Sequence, residues 1–233
     1  LDCHPLLREH FQLRHETERA SFAGHEAFVA PTLPMLYGEV SQPSTCRVIE
    51  GFRPDLSVVF GASIIREPLL SQLPKDRTIN LHLGLSPYYR GSGTNFWPFV
   101  NGELEYVGAT LLHLDAGIDT GPIIAHVRPG IRAGDTVHTA GCRVIAASAE
   151  ALLHMMRIAQ AGRLLPGILQ WPVAGSRYYR DADFTEDVLK TYLRHLEQDM
   201  VGRFLSRPAP SVHLIPLPEE PTTAARRLEV STP

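Results

Sequence analysis

Cysteine is scarce in this chain of 233 residues, and its three copies, Cys3, Cys46 and Cys142, are scattered without a CxxC pair. An odd, scattered set argues against a disulfide framework and against a zinc site built from thiolates. Unpaired thiols are typical of proteins in a reducing compartment, so we predict a cytoplasmic location.

A large charge imbalance and a long apolar run are also lacking. The formal net charge is −3, which provides no electrostatic attraction to nucleic acid. No apolar stretch approaches the roughly 20 residues that a membrane-spanning helix needs. We therefore expect a small-molecule partner, and neither nucleic acid nor a membrane. A homodimer is left open.

Helical and strand-like patterns alternate along the chain. The run 56–65 is apolar and rich in β-branched residues, which predicts a strand buried on both faces of a parallel sheet. Further predicted strands cover 78–85, 106–115 and 122–129, and predicted helices cover 5–20, 67–73, 94–103, 134–162 and 183–205. This order indicates an α/β domain with a mostly parallel sheet flanked by helices.

The remaining segments are predicted to be irregular. Residues 29–45 carry three prolines and little periodicity, so we expect mainly loop there. Pro98 is expected to interrupt helix 94–103. The α/β domain is assigned to residues 1–206, and a Pro-rich tail to residues 207–233.

Two segments carry side chains suited to catalysis. Asn80 and His82 are two apart on a predicted strand and therefore share one face. Asp119 lies between two predicted strands, flanked by Gly117 and Gly121. An amide, an imidazole and a carboxylate can together bind a developing oxyanion, move a proton and orient the proton carrier.

Each of these signals has a structural alternative. His82 could be a hydrogen-bonded core histidine, and residues 115–121 could be a simple acidic turn. The stretch 91–95, GSGTN, could cradle a phosphate, although it lacks the lysine of a P-loop. His113 could join His82 and Asp119 as a metal ligand, but the spacing matches no zinc template, so we expect no metal.

The two segments together resemble the formyltransferase family that uses 10-formyltetrahydrofolate. The resemblance rests on Asn80-Leu81-His82, on the loop 85–91, LSPYYRG, and on residues 114–121, LDAGIDTG. It implies a Rossmann-like fold with Asn80, His82 and Asp119 as catalytic residues. It also implies that the formyl donor 10-formyltetrahydrofolate is bound, as cofactor, by Ser63, Ile64, Ile65, Arg66, Asp115, Ala116, Gly117 and Ile118.

The implied activity is transfer of a formyl group to a primary amine of a small molecule. A nucleotide-linked amino sugar is the first expectation and an amino acid derivative the second. A formyltetrahydrofolate deformylase, with water as nucleophile, and a non-catalytic folate-binding protein remain alternatives. The family usually begins with a strand, and none is predicted ahead of the first helix here, so we expect the N-terminal strand to be missing and the acceptor site to be incomplete.

Overall fold

A computed structural model describes residues 4–25, 27, 29–208 and 210–219. The helices are α1 Pro5–Ser21, α2 Pro43–Phe52, α3 Leu69–Gln72, α4 Trp97–Asn101, α5 Val137–Gln160, α6 Glu186–Glu197 and α7 Met200–Leu205. The strands are β1 Ser57–Phe60, β2 Thr78–His82, β3 Tyr89–Gly91, β4 Ala109–His113, β5 Ile123–Val127 and β6 Arg177–Tyr179. Cys3 and residues 220–233 of the predicted tail lie outside the described residues.

The main sheet has four strands in the order β1-β2-β4-β5, and β3 and β6 form a separate parallel pair. β1 runs parallel to β2, whereas β4 is antiparallel to both β2 and β5. The predicted α/β class is confirmed, and the sheet is mixed. The short loop 114–122 explains the direction of β5, because only antiparallel neighbours can be joined without a long crossover.

The core lies between this sheet and the helices packed on it. Ile79 of β2, Leu111 of β4 and Ile124 of β5 are fully buried against residues of α5 such as Val144 and Met155. Burial of each such side chain contributes about 1.5–3 kcal/mol. These contacts hold β2, the strand that carries Asn80 and His82, at the centre of the domain.

Helix α5 begins after Thr136, within the helix predicted over 134–162. The Thr136 hydroxyl accepts a hydrogen bond from the backbone N–H of Thr139 at 3.3 Å, and the Thr139 hydroxyl accepts one from the backbone N–H of Thr136 at 2.9 Å. This reciprocal pair satisfies two of the otherwise unpaired donors at the helix start. Helix α1 packs beside α5, where burial, followed by the nearby charges of His138 and Arg14, lowers the pKa of His10 to about 4.

The prediction that strand 56–65 is buried on both faces was wrong. β1 is shorter and lies at the sheet edge, and the side chains of Val58 and Phe60 are 43% and 49% exposed. The strand ends before Gly61, whose φ of +59° suits a turn. The residues that follow form a loop beyond the carboxyl end of β1.

Three other predictions need correction in detail. Helix 183–205 is two helices, because Asp199 adopts a left-handed conformation with φ 52° and caps α7 through its side chain. Pro98 lies in the first turn of α4 and does not interrupt it. The loop predicted over 29–45 ends at Pro43, where α2 begins.

The described part of the Pro-rich segment packs along β5. The backbone N–H of His126 donates to the carbonyl of Ile215 at 2.8 Å, and the N–H of Ile215 donates to Nδ1 of His126 at 2.8 Å. The Tyr88 hydroxyl donates to the carbonyl of His213 at 3.0 Å. Across the described ranges, no helix combines the length and apolar character needed to cross a membrane.

Candidate active site

The site is built on the central strand β2. Ile79 and Leu81 point into the core, and Asn80 and His82 therefore occupy the opposite face of the strand. The Asn80 position pairs with Val59 on β1 and with Leu112 on β4, so both neighbouring strands support it. The shared face predicted for Asn80 and His82 follows from the strand geometry.

Asp119 reaches this face from the loop between β4 and β5. Its Oδ1 accepts a hydrogen bond from Nδ2 of Asn80 at 3.1 Å, and its Oδ2 lies 3.3 Å from Nδ1 of His82. The backbone N–H of Gly91 also donates to Oδ2, at 3.0 Å. The structure thus brings the three predicted catalytic side chains into one hydrogen-bonded cluster.

The imidazole of His82 is held on both sides. Its Nε2 lies 3.0 Å from the carbonyl oxygen of Tyr89, while Nδ1 faces Asp119. Both of these neighbours are acceptors, and an imidazolium is the form that donates to both. The side chains of His82 and Asp119 are only 6% and 11% exposed, which strengthens their interaction relative to a pair in water.

The backbone conformation of Asp119 is left-handed, with φ 54°. Few residues other than glycine adopt this region, although aspartate does so more readily than most. Nε2 of Gln170 donates to the carbonyl oxygens of Asp119 and Gly121 at 2.7 and 3.0 Å. Ser86 Oγ lies 3.4 Å from the same Asp119 oxygen. The loop is therefore held through its main chain, and the carboxylate remains available.

Gln170 was not among the predicted site residues. It lies in an aperiodic stretch after α5, so no helix or strand pattern predicts which way its side chain points. The available signal was a polar residue between the large apolar residues Leu169 and Trp171. Such a residue needs hydrogen-bond partners if it is enclosed, but the sequence does not say where they are.

Glycine is required at two turns around His82. A Cβ at Gly84 would lie 2.5 Å from Nε2 of His82, and a Cβ at Gly91 would overlap the carbonyl oxygen of Tyr179. Gly91 also has a φ of +92°. These glycines allow the loop that follows β2 to fold back, so that the N–H of Gly91 meets Asp119.

Side chains of the stretch 91–95 form hydrogen bonds within the protein, which disfavours the phosphate-cradle alternative. Thr94 Oγ1 donates to the carbonyl of Leu83 at 2.5 Å, and Asn95 Oδ1 accepts from the N–H of Gly108 at 2.9 Å. Within the described part of the chain, no group of three or more histidine, cysteine, aspartate or glutamate residues is arranged to hold a metal ion.

The residues predicted to bind the formyl donor lie on two loops near Asn80. Residues 63–66 follow β1, and residues 115–118 follow β4. Ile65 is buried in a small apolar cluster with Cys46 and Leu69, and Leu114 packs against the same cluster, so the two loops share one support.

Both loops expose apolar side chains and backbone groups. The side chains of Ile64 and Ile118 are 48% and 38% exposed, and the backbone of Ala116 and Gly117 is at the surface. Asp115 shapes the second loop, because its Oδ1 accepts from the N–H of Gly117 at 3.1 Å and from the Thr120 hydroxyl at 3.0 Å. A ligand there could meet backbone groups and apolar side chains together.

A basic aromatic face, formed by Arg90, Tyr178 and Arg180, lies beside the site. Arg90 on β3 pairs with Tyr178 on β6, and the Arg180 guanidinium carbon is 6.0 Å from the centre of the Tyr178 ring. The Tyr178 side chain is 43% exposed, and its ring lies 3.2 Å from where a Cβ on Gly91 would be. Nε of Arg90 is buried with no hydrogen-bond partner among the described residues.

The opposite face of the β3–β6 pair is closed by an ionic network. Arg177 donates to Oε1 of Glu103 at 2.5 Å, and the Tyr89 hydroxyl donates to Oε2. Burial raises the pKa of Tyr89 well above its ordinary value. Burial opposes ionisation of Glu103, yet the hydrogen bonds from Arg177 and Tyr89 outweigh it and lower the pKa of Glu103. This network fixes Tyr89, whose carbonyl oxygen contacts His82.

A cavity of about 410 Å³ lies away from these residues, lined by His195, Met200, Arg203 and Phe204 among others. None of the predicted site residues lines it. The geometry around Asp119 therefore defines the candidate active site, and the cavity does not.

Comparison with known proteins identifies a family and its members. A family model described as formyl transferase matches residues 17–156. The methionyl-tRNA formyltransferase of Trichlorobacter lovleyi is 31% identical over 128 residues, which are 55% of this chain and 40% of that protein. The enzyme of the same name from Alkaliphilus oremlandii is 35% identical over 119 residues, 48% of this chain and 38% of that protein. The chain thus spans about two fifths of the length of the curated relatives it matches.

Solved structures share the fold. The formyltransferase PseJ from Anoxybacillus kamchatkensis, solved with tetrahydrofolate and a UDP-linked formamido sugar, aligns with a TM-score of 0.54 at 24% identity, over 76% of this chain and 85% of that one. A sugar N-formyltransferase from a Shewanella species aligns with a TM-score of 0.52 at 18% identity, over 94% and 96%. Since the family model covers more than half of the sequence, this chain belongs to the formyl transferase family.

Proposed function

We propose that this chain transfers a formyl group from 10-formyltetrahydrofolate to a primary amine of a small molecule. The observation that carries the proposal is the convergence of Asn80, His82 and Asp119 in one enclosed cluster. An amide donor, an imidazole and a carboxylate are the groups that acyl transfer to an amine requires. Membership in the family supports the same reaction.

Bound 10-formyltetrahydrofolate supplies the formyl carbon and the leaving nitrogen. Residues 63–66 and 115–118 hold the donor through backbone groups, with Ile64 and Ile118 as apolar contacts. Both loops flank the strand face that carries Asn80. This placement brings the formyl group toward the cluster and keeps the rest of the donor at the protein surface.

Asn80 binds the oxygen that gains charge. Its Nδ2 has two hydrogens, and one is donated to Oδ1 of Asp119. The other is free to donate to the formyl oxygen as the amine attacks. Removal of such a donor typically raises the barrier by about 2.7–4 kcal/mol.

His82 and Asp119 handle the proton. As the new C–N bond forms and the bond to the leaving nitrogen breaks, the amine loses one proton and the leaving nitrogen gains one. The Asp119 carboxylate orients and polarises His82 and assists this transfer. His82 reaches the intermediate by exchanging one of its present contacts when the substrates bind. Hydrogen bonds of acid–base residues often reach their catalytic geometry only in the substrate complex.

A nucleotide-linked amino sugar is the proposed acceptor, and an amino acid derivative is the second choice. The basic aromatic face supports the first, because an aromatic ring can stack on a base and guanidinium groups can bind phosphate. Its Tyr178 ring lies next to Gly91, which contacts Asp119 directly. We also propose a cytoplasmic location, since Cys46 and Cys142 are free thiols.

The test is a transfer assay on the purified chain. 10-Formyltetrahydrofolate is mixed with nucleotide-linked amino sugars or amino acid derivatives, and the formylated product is measured by mass spectrometry. His82→Ala and Asp119→Asn should each lower turnover by roughly 10²–10⁴-fold. His15→Ala, on the exposed side of α1, is the matched control and should leave turnover unchanged.

The outcomes separate the alternatives. Unchanged turnover in both His82→Ala and Asp119→Asn would remove the mechanism. Release of formate without any amine, and no formylated product, would assign a deformylase. Binding of the donor without turnover on water or any amine would assign a non-catalytic folate-binding protein.

A further inference from the structure

We infer that Gln170 is a positioning residue that sets the carboxylate of Asp119 for catalysis. The inference rests on the proposed function, because it concerns how the same cluster is assembled. Gln170 lies outside the three segments that resemble the family's motifs, and it is 51 positions from Asp119 along the chain.

The side-chain amide of Gln170 binds two carbonyl oxygens of the loop. Its Nε2 carries two hydrogens, and the carbonyl oxygens of Asp119 and Gly121 accept them at 2.7 and 3.0 Å. These two carbonyls flank Thr120, so one side chain holds the backbone on both sides of a turn. Among neutral side chains only asparagine, which is one methylene shorter, also carries two donors on one nitrogen.

Gln170 is itself anchored to the strands on either side of that loop. Ile168 exchanges two backbone hydrogen bonds with Ile123, the first residue of β5, at 2.7 and 2.8 Å. A Cβ at Gly167 would lie 2.8 Å from the ring of His113, the last residue of β4. The segment 167–170 therefore bridges the ends of β4 and β5, and Gln170 reaches across the loop that joins them.

The contact controls the carboxylate without touching it. Oδ1 and Oδ2 of Asp119 are engaged by Asn80, His82 and Gly91. Gln170 binds only main-chain oxygens, at a residue whose φ of 54° is unfavourable for a side chain. Without these bonds the backbone of Asp119 can relax, and the carboxylate moves away from Nδ1 of His82.

The first test uses Gln170→Glu, which keeps the shape and replaces the donor by an oxygen. When it is ionised, the introduced carboxyl repels the two carbonyl oxygens. At neutral pH kcat should therefore fall roughly 10²-fold, as expected when a catalytic group such as the Asp119 carboxylate is displaced by about 1 Å. Below about pH 5 the introduced carboxyl protonates and regains one donor, so the ratio of variant to wild-type kcat should rise. Gln170→Met should lose activity without this rise.

Gln198→Glu is the matched control, because it makes the same change on an exposed residue at the end of α6. Its kcat and pH profile should follow the wild type. Equal activity ratios at every pH for Gln170→Glu would overturn the inference. Unfolding of both Gln170 variants at room temperature would also overturn it, because the residue would then be a general structural support.

A second readout does not depend on activity. The ¹⁵N NMR signals of the His82 ring report the contact between Nδ1 and Asp119, and they should change in Gln170→Met while thermal unfolding remains cooperative. If the wild type proves inactive on every acceptor, the proposed function fails, and this signal still decides the role of Gln170. Unchanged His82 signals in both variants would overturn the inference.

Discussion

The backbone N–H of Gly91 donates to Oδ2 of Asp119 at 3.0 Å, and the same oxygen faces Nδ1 of His82. Gly91 is the last residue of β3, the short strand that follows β2, whereas Asp119 lies on the loop after β4. The hydrogen bond therefore joins the two segments that carry the catalytic candidates. It also gives the carboxylate a donor that does not titrate.

Gly91→Ala should break this relationship. The added Cβ would overlap the carbonyl oxygen of Tyr179, and the φ of +92° is strained for alanine. We expect a loss of about 1–3 kcal/mol in unfolding free energy and a kcat lowered roughly 10²-fold. Urea unfolding and the transfer assay measure the two effects.

Gly141→Ala is the control for Gly91→Ala. It lies within α5, and its Cβ would meet no atom within 4 Å, so the variant should be as stable as the wild type or more stable by up to about 1 kcal/mol. Full activity in Gly91→Ala would show that Asp119 does not need the Gly91 donor.

Asn80→Ala should affect the chemical step more than binding. The variant removes the donor to the formyl oxygen and one contact of Asp119 Oδ1. We expect kcat to fall by about 10²–10³-fold, with little change in KM for the formyl donor. Steady-state kinetics with varied donor concentration separates these quantities.

Asn101→Ala provides the comparison for Asn80→Ala. The Asn101 amide donates to the hydroxyls of Tyr89 and Tyr179, outside the cluster, so its loss should lower stability and leave kcat within a few-fold. A larger loss of kcat in this variant than in Asn80→Ala would argue against Asn80 as the oxyanion donor.

Docking of residues 210–219 on β5 should depend on pH through His126. Nδ1 of His126 accepts from the N–H of Ile215, and Nε2 lies 2.7 Å from the carbonyl of Ser86, so the neutral ring fits both contacts. Burial lowers the pKa of His126, opposed by the Ser86 hydrogen bond and assisted by the charge of His213.

The sign follows from this lowered pKa. The unfolded chain binds the proton more readily, so the stabilisation is present above about pH 6.5 and is lost as pH falls through the folded-state pKa. Acidification slows the intrinsic exchange of every amide, so the measure is the protection of the Ile215 amide relative to amides in the centre of β4. This relative protection should fall as the pH falls. His126→Gln should flatten this dependence. An Ile215 amide that stays equally protected at low pH would contradict the prediction.

Arg90→Ala and Arg180→Ala should weaken binding of a phosphate-bearing acceptor. Hydrogen bonds to charged groups contribute about 1.5–3 kcal/mol when enclosed and less when exposed, so each variant should raise KM for a nucleotide-linked amine by roughly 10-fold. KM for the formyl donor should not change.

Arg132→Ala, a change of the same charge on an exposed residue ahead of α5, is the control and should leave both KM values unchanged. If Arg90→Ala and Arg180→Ala raise KM equally for acceptors with and without phosphate, the basic aromatic face does not recognise phosphate.

Local pattern alone was sufficient for several elements of this protein. The two-residue period of a strand places Asn80 and His82 on one face, and Thr136 marks the start of α5. These features depend on residues within a few positions of each other. The pattern could not predict that Asp199 would adopt a left-handed conformation and divide helix 183–205, because the apolar stripe continues through that position.

The amino-acid sequence by itself determined the α/β class, the strand that carries Asn80 and His82, and the residue types available for acyl transfer. The tertiary structure decided the antiparallel direction of β4 and β5, the exposed edge at β1 and the contact of Gln170 with Asp119. The physical reason is separation along the chain. Asn80 and Asp119 are 39 positions apart, and a contact over that separation depends on how the strands pack, which no local period records.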